Sequence, residues 1–315
     1  MKRHWQLTRT IDGRVIEAAQ AENGCFTWIH LDGKSSGALR WLREESGVPE
    51  HAVRALSATE TRPRIEQFDN GALINLRGLG AIPDDDLDEL VSIRMWATTG
   101  KVVSISFRTL LGIDRVEEQM LEGRLKDPGD LITSLSMQIT DRLDPHIAEL
   151  GDAIDECEAD LNPARAWAMR RTIGHVRSQA IGYRRFVAPQ RQALERLSLI
   201  SCQWMDDDDR FHIREAADRF ARMAEELEAI RERSALLHEQ LTDLRSEMIE
   251  TRALLISIVA LIFLPLTFVT GLLGMNVEGI PYAHEPWAFW GVVIFCVVIA
   301  AGISVYFIRA RWSRH

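Results

Sequence analysis

Two stretches near the end of this 315-residue chain, residues 253–274 and 287–308, contain no Asp, Glu, Lys, Arg or His. Each runs for 22 residues, which at about 1.5 Å per residue gives roughly 33 Å, enough to cross a hydrocarbon core of about 30 Å. Lipid offers a backbone no water to bond, so such runs resolve into helices whose peptide groups pair internally. Two membrane-spanning helices are therefore expected at the C-terminal end.

The charges that remain are unevenly divided. The net charge is −9. The connection 275–286 carries −2 and the tail 309–315 carries +3, which leaves −10 for the first 252 residues. A nucleic-acid binder needs a Lys/Arg excess to neutralise phosphates, so nucleic acid is excluded as a partner. Residues 1–10 mix Lys2, Arg3 and His4 with Trp5 and Leu7 and lack the apolar centre of a signal peptide. Arg245 and Arg252 precede the first span, and Arg309, Arg311 and Arg314 follow the second. The positive-inside rule then puts both termini in the cytoplasm and the acidic connection outside, in an inner membrane. Cys25, Cys157, Cys202 and Cys296 are far apart, with no C-x-x-C, and read as reduced thiols.

Residues 1–127 read as an α/β domain. Residues 26–31 make a short strand. Residues 64–68 and 72–79 flank Asp69-Asn70-Gly71, a hairpin signal, and 90–97 and 101–107 flank Thr98-Thr99-Gly100 in the same way. Helical spacing over 36–46 and 49–57 predicts helices covering a mixed sheet. From Asp127-Pro128 the pattern becomes long and helical: one helix to about residue 160, a second restarted by Asn162-Pro163 and reaching about 203. Residues 128–205 thus form a helical hairpin. A third helix opens at Asp206–Asp209, where four acids suit the positive end of the helix dipole; a weak cation site is the other reading.

From Phe220 the apolar spacing becomes regular through Met223, Leu227, Ile230, Ser234, Leu237, Leu241, Leu244, Met248, Thr251 and Leu255, a heptad stripe. No Gly or Pro interrupts residues 209–264. A stalk over 206–252 should therefore run without a break into the first span, 253–274. The segments 275–286, 287–308 and 309–315 follow as loop, second span and tail. A second stripe, half a turn away, carries Glu232, Glu239, Asp243 and Glu250, then Ala253, Ser257, Ala260, Leu264, Thr267, Gly271 and Gly274. Small residues inside lipid serve either close helix packing or a pore wall. The acids below them on the same face favour the pore, since carboxylates at a pore mouth attract cations. Two spans cannot enclose a pore, so several copies must surround it, with Trp287, Trp290 and Tyr306 marking the second span as lipid-facing.

The first span ends in Thr270-Gly271-Leu272-Leu273-Gly274-Met275-Asn276. Gly-Met-Asn at the outer end of the penultimate helix, before a short loop and a last span, resembles the signature of the CorA family of divalent-cation transporters. The long helix, the hairpin and the α/β N-terminus extend the resemblance along essentially the whole chain. It implies a homopentameric funnel, a pore lined by Glu250, Ala253, Ser257, Ala260, Leu264, Thr267 and Gly271, and an entrance at Gly274, Met275 and Asn276. Asn276 would meet the hydrated ion, because an amide oxygen bonds a water shell without stripping it, whereas a carboxylate ring would hold a divalent ion too tightly. Leu264, the bulky member of the small stripe, is the candidate constriction.

Val277-Glu278-Gly279-Ile280-Pro281 and the following Trp287-Ala288-Phe289 resemble the ZntB-type zinc-transporting branch, and the Glu of the magnesium loop is missing after Pro281. Glu278, His284 and Glu285 would draw cations to the mouth, and an imidazole at His284 suits zinc better than magnesium; a plain exposed histidine is the alternative. The resemblance implies no cofactor beyond the transported zinc or other divalent cation, and no partner beyond further copies and lipid. There is no HExxH, Walker A or G-x-S-x-G sequence, so no catalytic centre is expected and a proton is the candidate coupled ion. A magnesium or cobalt channel of the same family is the nearest alternative; from another class, a membrane-anchored sensor or scaffold could dimerise through the heptad stripe. Asp84, Asp85, Asp86 and Asp88 form either an acidic turn or part of a regulatory ion site.

Overall fold

The computed structural model describes residues 6–10, 13–17, 26–58, 62–81, 90–161, 165–275 and 285–312. They fall into two units, Met1–Glu239 and Gln240–His315. The acids Asp84, Asp85, Asp86 and Asp88, with Cys25 and the Asn162-Pro163 pair, lie outside the described residues.

A seven-stranded sheet organises the first unit. β1 (Gln6–Thr10), β2 (Gly13–Glu17), β3 (Thr27–Asp32), β4 (Arg64–Phe68), β5 (Gly71–Leu79), β6 (Leu90–Thr98) and β7 (Lys101–Ser106) lie in the order β1-β2-β3-β7-β6-β5-β4. β3 pairs parallel with β7 and the other neighbours are antiparallel, so the sheet is mixed, as expected. Both hairpin signals close, with Phe68 opposite Gly71 and Thr98 opposite Lys101. Gly71 itself sits in the strand. A Cβ there would lie 2.5 Å from the Ala97 carbonyl, so it is close approach that requires the glycine.

The helices α1 (Ser36–Glu44) and α2 (Glu50–Leu56) cover one face, where Leu42, Val53 and Leu56 pack on Ile29, Leu31, Trp96, Val103 and Ile105. Arg94 is buried in the middle of β6 and donates to the Leu56 carbonyl at 2.8 Å. Burial, then the nearby Arg77, pulls its pKa down to about 10, so it keeps its charge at neutral pH. On the other face Gly78 leaves room for Ile139 and Leu110, the nearest atoms to a Cβ built there. Three elements were not expected from the sequence. β1 and β2 are short and largely polar, whereas α3 (Ile113–Leu121) does carry a helical stripe of Ile113, Val116 and Met120.

Three long helices follow: α4 (Pro128–Ala159), α5 (Ala166–Leu199) and α6 (Asp207–Leu273). Asp127 caps α4, accepting the Asp130 N–H at 3.0 Å with Pro128 at the first helical position. α5 ends at Leu199, before the expected 203, because Arg210 gathers its terminal carbonyls. Its guanidinium donates to Ser198 and Met205 oxygens at 3.2 and 3.4 Å and also to Ile200. α4 and α6 run in the same direction with a constant offset of 78, as the pairs Asp141–Arg219 and Asp155–Arg233 show. The apolar stripe of α6 is buried from Phe220 through Met223, Leu227, Ile230, Ser234 and Leu237 to Leu241, and is partly or fully exposed beyond. The last residue of α4, Ala159, shifted by the offset falls at residue 237, so α4 can line this stripe as far as Leu237.

α5 also mends the sheet. β4 begins after Pro63 and pairs with β5 only as far as Arg64–Asn75, which leaves the outward peptide groups of Arg77 without a strand partner. The buried Gln190 amide takes that place: its Oε1 accepts the Arg77 N–H at 2.6 Å and its Nε2 donates to the Arg77 carbonyl at 2.9 Å. In the second unit, the end of α6 and the helix α7 (Pro286–Trp312) are both long and apolar enough to cross a membrane. Replacing Gln190 by Met keeps the bulk and removes the partner of two half-buried peptide groups, so Gln190→Met should destabilise the chain by roughly 1–3 kcal/mol, read as a lowered thermal midpoint of tryptophan fluorescence.

Candidate ion pathway

Glu250, Ala253, Ser257, Ala260, Leu264, Thr267 and Gly271 all lie on one exposed stripe of α6. Leu264 is 75% exposed. The partly covered residues of the same segment are Ile258, Ile262, Pro265, Leu266 and Val269, and α7 has a matching covered stripe through Val292, Cys296, Ile299 and Ile303. Counting 100° per residue, the covered stripe of α6 is centred about 180° from the small-residue stripe. The small residues are therefore not spent on packing the second span of the same chain. Their face is open.

The hydroxyls on this face are oriented. Ser257 Oγ donates to the Ala253 carbonyl at 2.9 Å and Thr267 Oγ1 donates to the Phe263 carbonyl at 2.7 Å. With the proton committed to the helix, each oxygen turns only lone pairs outward, which suits the hydrogens of a cation's water shell or the cation itself. Pro265, not weighed from the sequence, sits among these residues in an unbroken helix and lacks the N–H that would bond the Leu261 carbonyl. Its signal was plain in Leu264-Pro265-Leu266.

At the C-terminal end of α6 Gly274 donates its N–H to the Thr270 carbonyl at 2.9 Å and Met275 is exposed. Asn276, Glu278 and His284 lie outside the described residues. Glu285 is exposed next to the first turn of α7 and accepts the Ala288 N–H on its carbonyl at 3.1 Å. A carboxylate there faces the positive end of the helix dipole. Glu232, Glu239, Asp243 and Glu250 are all exposed, as their stripe requires.

A second acidic group lies far from this stripe in sequence. Single carboxylate oxygens of Asp127, Asp130 and Asp209 come within 4.8 Å of one another. Helix capping accounts for the arrangement: Asp127 accepts from Asp130 N–H, Asp130 from Lys126 N–H, and Asp209 exchanges N–H bonds with Asp206. A Cβ at Gly129 would fall 2.0 Å from an Asp209 oxygen, so glycine is what admits the carboxyl. The fourfold Asp run is thus a helix start, with Asp209 buried and its neighbours exposed or half-exposed. The described cysteines are free thiols, and burial pushes Cys157 and Cys202 up, away from the thiolate a metal would need.

The chain matches the model of the family described as CorA-like Mg2+ transporter protein over residues 23–309. It belongs to this family. Among its relatives are "Zinc transport protein ZntB" of Pectobacterium carotovorum subsp. carotovorum, 32% identical over 297 residues covering 94% of this chain and 90% of that one, and the protein of the same title from Yersinia enterocolitica, 32% identical over 295 residues, covering 93% and 89%. The solved "structure of the full-length CmaX protein" is 31% identical with a TM-score of 0.76, covering 93% of this chain and 91% of that one. The CorA magnesium transporter from Methanocaldococcus jannaschii has the same TM-score, 0.76, at 18% identity, covering 96% and 98%, and supports the fold. The resemblance drawn from Gly274-Met275-Asn276 thus holds along the chain: this CorA-family protein is a divalent-cation transporter rather than an enzyme.

One pH effect follows from the capping group. Burial, with Asp127, Asp130 and Asp206 adding repulsion, raises Asp209 to about 7. Its folded value lies above its unfolded one, so the proton on Asp209 stabilises the fold fully below about pH 4 and that stability is lost as pH rises through 7. The thermal midpoint should fall from pH 6 to pH 8. In Asp209→Asn, which keeps an oxygen for the Asp206 N–H, that step should flatten.

Proposed function

We propose that the chain is a zinc transporter of the inner membrane, with both termini in the cytoplasm, that assembles as a homopentamer around the small-residue face of α6. The observation that carries this is the position of that face, opposite the partly covered stripe of the same segment and continuous in helical phase with the exposed acids of the stalk. Two spans cannot close a pore, so this exposed face is where further copies would meet.

In such a ring Glu250 and Asp243 repeat as acidic girdles at the inner mouth, raising the local cation concentration. Ala253, Ala260 and Gly271 leave width, Ser257 and Thr267 offer lone pairs, and Leu264 forms an apolar collar that a hydrated ion crosses only when the ring widens. At the outer end Gly274 lets the backbone leave the helix, Met275 backs the entrance, and Asn276 meets the ion through its water shell. Glu278, His284 and Glu285 gather cations from the outer side. Zinc is favoured over magnesium by the names of the full-length relatives and by the imidazole of His284. The name of the family model keeps magnesium, with cobalt, as the second reading. No nucleotide motif supplies energy, so the membrane potential and ion gradients drive the flux, with a proton as coupled ion.

Purified protein in liposomes should take up zinc faster than magnesium, and faster still with an imposed pH gradient; indifference to the gradient would remove the coupling while leaving transport. Asn276→Ala should lower the flux about tenfold or more, the scale set by about 1.4 kcal/mol at one step of the path, without changing oligomeric mass. Cysteines placed singly from 253 to 271 should label from water with the phase of Ala253, Ser257, Ala260, Leu264 and Thr267. Labelling without that phase overturns the pore assignment.

A further inference from the structure

We infer that neighbouring copies in the ring are also joined outside the membrane, through a basic face of α5 on one copy and an acidic face of α4 on the next; this rests on the ring reading above. The two helices are oppositely charged: α5 has seven Arg against one Glu, and α4 has eight acids against one Arg. Much of that charge is not consumed within the chain. α4 uses Asp141, Asp144, Asp155 and Glu158 on Arg219 and Arg233 of α6. On its remaining exposed stripe, Asp152 and Glu156 have no cationic partner among the described residues, and Glu149 has only His146, 3.9 Å away.

On α5, Arg184 pairs with Glu228 of α6, whereas the exposed Arg177 and Arg185 have no carboxylate partner among the described residues. Between them Ile181 is 50% exposed, and Gly182 has nothing within 4 Å of where a Cβ would stand. Arginines bracketing an apolar residue and a glycine make a face that another helix can approach closely, and its charge calls for an acidic one.

The heights agree as well. Arg184 is level with Glu228 of α6, and the offset of 78 makes Glu228 level with residue 150 of α4. Because α5 runs opposite to α4, Arg185 is level with Glu149, Gly182 with Asp152, and residue 178, next to Arg177, with Glu156. Rotation about an axis along the bundle preserves height, so it would bring Arg185 to Glu149 and Arg177 to Glu156 of the adjoining copy, to within a helical turn. The two surfaces differ, which makes the contact heterologous. Heterologous contacts close rings, whereas a twofold dimer needs one surface that complements itself.

The test is disulfide formation in the full-length protein in membranes with Gly182→Cys and Asp152→Cys combined. The expected result is a ladder of covalent oligomers that neither single cysteine nor the unmodified chain produces. Adding Arg177→Glu and Arg185→Glu should reduce the ladder about tenfold or more at low salt, and adding Glu149→Arg and Glu156→Arg to that variant should restore it. No ladder from a protein whose mass in detergent is that of a pentamer overturns this contact and leaves the ring standing. A ladder unaffected by one-sided charge reversal overturns the charge pairing. A monomeric or dimeric mass overturns the ring itself, and the contact with it.

Discussion

The rotation of α6 about its own axis is the constraint on which the rest depends. Six side chains of its stripe from Phe220 to Leu237 are buried in the first unit, and fully burying a large apolar side chain is worth about 1.5–3 kcal/mol. A turn of 100° would expose most of them. No glycine or proline between Asp209 and Leu264 can reset the phase, so the burial that fixes the stalk also fixes which residues of the same helix share its opposite face. That face is acidic before the apolar segment and small within it. Ser234, the polar member of the buried stripe, fits because its hydroxyl donates to the Ile230 carbonyl at 2.6 Å.

The same burial bears on the reading of the chain as a dimeric scaffold. The heptad stripe is a dimerisation surface only if it is free, and through Leu237 it is buried within the first unit. Local spacing cannot distinguish these cases, because an apolar stripe of period 3.5 looks alike whether its partner is another copy or a helix 78 residues earlier. The constant offset between Asp141–Arg219 and Asp155–Arg233 is what identifies the partner, and it is a long-range fact.

What could be read from the sequence was what neighbouring residues decide. Asp127-Pro128 opens a helix because the cap and the fixed φ act within one turn, and both hairpins close where a turn signal separates two strand patterns. What could not be read depends on distant partners. The end of α5 at Leu199 is set by Arg210, the edge of β5 by Gln190, and the place of Arg94 inside a sheet by a carbonyl on α2. On the ion pathway the stripe was legible by counting. Its exposure was not, nor was the direction of the Ser257 and Thr267 protons onto the helix's own carbonyls.

The distribution of chemistry along the open face follows from what lipid tolerates. A carboxylate in the hydrocarbon would lose its hydration and hold a divalent ion strongly enough to stop its release, and the last carboxylate on this face is Glu250, before the apolar segment begins. Within the segment the polar atoms are hydroxyl oxygens whose protons already bond the helix, which removes the penalty of an unpaired donor and leaves a weak acceptor. In the proposed ring, such weak acceptors would let a hydrated cation pass from one level to the next. On the pore reading, selection of the ion falls to where water is still present, at the acidic stalk and at the segment beyond Gly274, which carries Asn276, Glu278, His284 and Glu285.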